Sequence, residues 1–92
     1  MTFWQEYNPE KALKERLETI WKHAVIESEK ELYALLKRRL TKKELKAFAM
    51  TEGGEQNGTV AEKLLVEEDK LNTLIKRAYK KINQCFDEVT KR

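Results

Sequence analysis

Histidine and cysteine, the side chains that most often ligate metals or act as nucleophiles, occur once each, as His23 and Cys85. A zinc site needs three or four Cys, His or carboxylate ligands at set spacing, so no metal site is expected. Ser28 reads as a cap or a tolerated polar residue, with no His-Asp constellation assembled around it. Cys85 falls among apolar positions and reads as buried filler, with no flanking motif that favours a thiolate. His23 reads as an exposed helical histidine. The acid pairs Glu67-Glu68 and Asp87-Glu88 are sequence neighbours, which point apart on a helix, so neither supplies a general acid and base together. Gly53-Gly54 lacks the Gly-Lys-Ser/Thr ending of a phosphate loop. Asn57-Gly58-Thr59 matches a glycosylation acceptor but reads as turn and cap. The expectation is therefore no enzyme, no cofactor, no metal and no small-molecule substrate.

Cations remain as the chemistry the chain offers. Its 92 residues are 38% charged with a net charge of +3. The distribution is uneven: residues 1–36 carry −2, 37–50 carry +5, 51–69 carry −5 and 70–92 carry +5. Two basic blocks flank an acidic one. Lys37, Arg38, Arg39, Lys42, Lys43 and Lys46, with Lys76, Arg77, Lys80 and Lys81, suit a phosphate-facing surface. They equally suit the solvated faces of ordinary helices.

The elements that must hold these cations are helical. Three Gly and one Pro among 92 residues leave few turns for a small β fold. No apolar run approaches the ~20 residues of a membrane span, and no leader pattern opens the chain, so a cytoplasmic protein is expected. The chain is read as one all-α domain, residues 1–92: a small helical bundle with a long N-terminal helix, 8–39, packed on a helix-turn-helix half, 40–92. Asn8-Pro9 suits the start of the long helix. Its apolar positions keep one phase from Leu13 to Leu36, although Ser28-x-x-Glu31 has the form of a capping box that would break it. Phe3, Trp4 and Tyr7 are read as a lid on the core, and Trp21 as a core residue. Thr41-x-x-Glu44 and Thr59-x-x-Glu62 are further boxes, and open helices 41–52 and 59–65. A last helix, 69–91, carries a seam of Leu71, Ile75, Ala78, Ile82, Cys85 and Val89 at heptad spacing.

Residues 59–82 have the short helix, tight turn and second helix of a helix-turn-helix. With Leu40-Thr41-x-x-Glu44, Glu52-Gly53, Val60-Ala61-Glu62-Lys63-Leu64, Val66-x-Glu68 and Arg77-x-x-x-Lys81-Ile82, the segment 40–83 resembles the LuxR-type DNA-binding module. It is similar also to the promoter-reading helix-turn-helix of sigma factors. The resemblance implies that the N-terminal turns of helix 69–91 face the major groove of double-stranded DNA, in a transcription regulator. Candidate contacts are Lys70, Asn72, Thr73, Lys76, Arg77 and Lys80, with Lys42 and Lys43. Two features depart from the family: Glu67, Glu68 and Asp69 stand where Ser or Thr commonly meets phosphate, and Leu65 stands where the turn often has glycine. The alternative is a helical protein–protein interaction module or homodimer without nucleic acid. Its interface would be Ile75, Ile82, Cys85, Phe86 and Val89.

Overall fold

In the computed structural model, which describes residues 2–90, six α-helices follow one another with no strand among the described residues. The first, α1 (Phe3–Tyr7), is capped at both ends. Thr2 and Gln5 form a reciprocal capping box, and Asn8 closes the helix rather than opening the next one. The Asn8 amide donates to the carbonyls of Trp4 and Ala49 at 3.2 and 3.0 Å, which seals it in the interior. Trp4 is buried as the lid reading expects, stacked on Phe48 with 5.3 Å between centroids. Its indole N–H donates to the Lys11 carbonyl at 2.7 Å.

The expected long helix over 8–39 is two helices, α2 (Leu13–Trp21) and α3 (Glu29–Arg39). Lys22 ends α2 in a left-handed conformation, φ 55°. The Ser28–Glu31 box opens α3, with both reciprocal bonds made. A continuous helix of about 30 residues would run about 45 Å, beyond the longest 39 Å extent of the molecule. Folding back lets Leu13 and Leu17 meet Leu32, Leu35 and Leu36 in one core instead. α3 also repairs α2: Ala12 offers no side-chain cap. The Glu29 carboxylate accepts from the N–H groups of Leu13 and Lys14 at 2.7 and 2.6 Å. Those are two of the orphan donors at a helix start.

The central element is α4 (Lys42–Glu52), opened by the Thr41–Glu44 box. It buries Leu45, Ala47, Phe48, Ala49 and Met50, so it faces the core on several sides. Gly53 follows it, where a Cβ would lie 2.5 Å from the Tyr7 carbonyl oxygen. The absent side chain is what lets α1 close on the end of α4. α5 (Asn57–Leu64) starts two residues before the expected Thr59, with Gln56 as N-cap and no side-chain cap bond. The last helix is α6 (Glu68–Thr90).

The interior divides into two clusters. One joins α1, α2, α3, the outer part of α4 and the C-terminal half of α6, around Trp4, Leu17, Leu36, Phe48 and Ile82. The other holds α5 and the N-terminal half of α6 against α4, through Ala47, Met50, Val60, Ala61, Leu64 and Leu71. Phe3 packs against both.

Candidate nucleic-acid interface

The segment read from the sequence as a helix-turn-helix consists of α5, a three-residue connection and α6. Leu65 ends α5 at φ 58° and ψ 45°, and its N–H reaches the carbonyls of Ala61 and Glu62. It thus occupies the left-handed position that glycine favours in such turns, and its side chain is 88% exposed. Val66 donates to the Ala61 carbonyl and is half-buried beneath the turn. A Cβ at Gly58 would meet only Glu68 Oε1, at 2.9 Å, the end of an exposed side chain that can swing aside.

All eight expected DNA contacts are exposed: Lys42 and Lys43 in the first turn of α4, and Lys70, Asn72, Thr73, Lys76, Arg77 and Lys80 along α6. They fall into two groups. Arg77 and Lys80 share a shallow groove with Thr41, Glu44, Lys81 and Gln84, where α6 passes the start of α4; Lys42 and Lys43 follow Thr41 in sequence but do not line it. Lys70, Asn72, Thr73 and Lys76 stand earlier on α6, up to about 15 Å away at 1.5 Å per residue. None of the eight makes an ion pair among the described residues.

Other cations of the basic blocks are engaged. Lys81 pairs with Glu44 at 2.7 Å. Burial pushes the Glu44 carboxyl up, but the Lys81 ammonium and the Thr41 cap together outweigh it and hold it below the usual carboxylate range. Glu44 is only 3% exposed, so it closes the capping box and anchors α6 at once. Arg39 donates to Glu88 through two guanidinium nitrogens, Nε and Nη2, and this pairing lowers the Glu88 carboxyl and raises Arg39. Lys37 and Lys46 lie over the rings of Tyr33 and Phe3 instead of joining the groove. The acids Glu67, Glu68 and Asp69 are exposed around the start of α6, where they favour the positive end of the helix.

The expected dimer seam is corrected by burial. Ile82, Cys85 and Val89, with Leu71 and Ala78, lie in the protein's own interior, because α6 turns its apolar stripe onto α3, α4 and α5. Ile75 and Phe86 are half-buried at the edges of that stripe. Phe86 packs on Trp21, whose indole N–H donates to the Ile82 carbonyl at 3.1 Å. Burial, helped by Glu88, pushes the Cys85 thiol up to about 11, as expected of filler. His23 is exposed but lies in the connection between α2 and α3 and not on a helix, its ring centroid 5.4 Å from that of Phe86 in an edge-on arrangement.

Sequence reasoning missed a second polar centre. Glu52 accepts from Tyr79, pairs with Arg16 Nε at 2.6 Å, and so ties α2, α4 and α6 together. Burial first, then Glu52, raises the Tyr79 hydroxyl well above its ordinary value. The three residues are far apart in sequence and share no motif. Among the described residues no group of three His, Cys, Asp or Glu side chains is placed to hold a metal, and no helix is long and apolar enough to cross a membrane. No family model, curated protein or solved structure matches the chain.

Proposed function

We propose that the chain is a small DNA-binding helix-turn-helix protein that meets double-stranded DNA with the solvent face of α6. The observation that carries the proposal is the set of exposed cations, Lys76, Arg77 and Lys80, free of ion pairs among the described residues. They stand on the second helix of a unit whose three-residue turn has the left-handed residue such turns use. Attraction to phosphate comes from these cations and from Lys42 and Lys43 in the first turn of α4. Asn72 and Thr73 supply hydrogen-bonding groups for base edges or backbone. The carboxylates of Glu67, Glu68 and Asp69 repel phosphate, so they tilt contact away from the very start of α6 toward its middle turns.

The test is fluorescence anisotropy of a labelled random-sequence duplex at about 50 and 200 mM salt, the range in which phosphate contacts weaken steeply. Each phosphate neutralised adds about 0.9 to the slope of log affinity against log salt. Lys76→Ala with Arg77→Ala is expected to weaken binding and flatten that slope. Absence of binding at the lower salt would overturn the proposal. A second reading, a protein-interaction module, is favoured by Leu65 and Ile26, large apolar side chains 88% and 86% exposed. It predicts that a partner is lost on Leu65→Ser while duplex binding is absent.

A further inference from the structure

Lysine lies over an aromatic ring at three places among the described residues, and all three belong to one connected row. Lys37 Nζ is 5.9 Å from the Tyr33 ring centre, Lys46 Nζ 5.4 Å from Phe3, and Lys63 Nζ 5.2 Å from Tyr7. The rings are joined to one another. The Phe3 N–H donates to the Tyr33 hydroxyl at 3.2 Å, and the Phe3 and Tyr7 centroids are 5.0 Å apart with a 40° tilt. All three rings are half-buried, rooted in the protein with part of each left to solvent. α1, held between the two clusters by its own capping box and by Asn8, fixes the two central rings.

From this geometry we propose a binding strip for single-stranded nucleic acid, separate from the duplex-facing side of α6. Unpaired bases stack on the exposed parts of the rings, and the lysines move from ring to phosphate as the strand arrives. The chemistry requires both components at once. A π face accepts any base, and a flexible ammonium within reach of it neutralises the adjoining phosphate. Duplex DNA shows its base edges and not its faces, so it cannot use the rings. On α6 the half-buried aromatics Tyr79 and Phe86 are engaged by Glu52 and Trp21, and among the described residues neither has a lysine over its ring. Among the described residues one ion pair reaches the strip, Lys63 with Glu55 at 4.0 Å, an exposed pair of the kind worth little and easily exchanged.

The experiment measures anisotropy of a labelled twelve-nucleotide oligothymidine against the full chain at about 50 mM salt. Phe3→Leu with Tyr7→Leu keeps apolar bulk and removes the π faces; binding is expected to fall at least about tenfold, the scale of one lost base–aromatic stack. Tyr33→Phe keeps its ring and is expected to bind as the parent does. Lys46→Met with Lys63→Met alters only side-chain ends, and should lower the salt slope by about 0.7 for each lysine that meets a phosphate. Circular dichroism verifies each fold, and the lysine pair carries the test should the leucine pair unfold. Parent-like affinity of the folded leucine pair, an unchanged slope of the lysine pair, or no binding by the parent overturns the strip. Lys76→Ala with Arg77→Ala should spare oligothymidine affinity while reducing duplex affinity, so this proposal and the duplex proposal fail separately.

Discussion

Leu65→Gly should make the protein more stable. Leu65 holds φ 58° at the end of α5, and a side chain in the left-handed region costs about 1–2 kcal/mol from the clash of Cβ with the following carbonyl. With 88% of the residue exposed, truncation forfeits little buried area. Glycine works against the gain by loosening the unfolded chain, at about 0.4–1 kcal/mol. The balance is a stabilisation of about 0.5–1 kcal/mol. For a domain of this size 1 kcal/mol moves Tm by about 4–8 °C, so a rise of about 2–8 °C is expected in thermal unfolding followed by circular dichroism. Leu65→Ala is the control: it sheds the exposed atoms but keeps Cβ, and should stay within about 0.5 kcal/mol of the parent. The gap between glycine and alanine therefore reports the relief of the backbone angle less the unfolded-chain entropy of glycine. A glycine variant that melts no higher than the alanine variant would refute the left-handed turn and, with it, this geometry of the α5–α6 connection.

Other substitutions probe other joints. Gly53→Ala puts a Cβ 2.5 Å from the Tyr7 carbonyl oxygen and 3.2 Å from Tyr7 Cβ; lifting α1 from α4 should cost about 1–3 kcal/mol, read as a lowered Tm. Glu44→Gln should cost about 1 kcal/mol at neutral pH, discounted for the part exposure of Lys81. The folded carboxyl titrates below its ordinary 4.5. Its contribution is therefore complete above that pH and lost as pH falls through the folded value. Denaturant melts of parent and variant should converge in acid; a constant gap would count against the pair. Cys85, buried with its thiol raised to about 11, should react with a disulfide reagent at pH 8 only as fast as the fold opens. Rapid labelling would place it at the surface.

Local chemistry was legible in the sequence where it closes within a few residues. The Thr41–Glu44 box opens α4 as read, and the Ser28–Glu31 box marks a true helix start that the continuing apolar phase concealed. Thr2 and Gln5 close the same kind of box without a Glu at the third position, whereas Thr59-x-x-Glu62 has the spacing but lies inside α5 and caps nothing. What stayed hidden is non-local. Nothing near Ala12 announces that Glu29 will cap it, and nothing near Lys22 announces a left-handed residue without glycine. The seam on α6 was correctly apolar, but its spacing carries no mark of whether the facing surface belongs to another copy or to the same chain. The cations followed the same rule: exposure of the α6 set could be anticipated from the helix face. The departure of Lys37 and Lys46 toward Tyr33 and Phe3 depends on where α1 docks.

That docking has a consequence for how the molecule comes apart. α4 and α6 run through both hydrophobic clusters, whereas α5 belongs to the smaller one alone. The smaller cluster contains six buried residues, two of them alanines, so opening α5 exposes modest apolar area and leaves the larger cluster closed. Amide exchange should therefore resolve two cooperative units. Amides of α5 should exchange through a cheap partial opening, and those around Leu36, Phe48 and Ile82 only through global unfolding. Because α6 crosses the boundary, its first turns belong energetically to the labile unit and its last turns to the durable one. The helix proposed to meet DNA is thus fastened at one end and yielding at the other, and duplex binding, if the proposal holds, should register as slowed exchange in α5 and the first turns of α6.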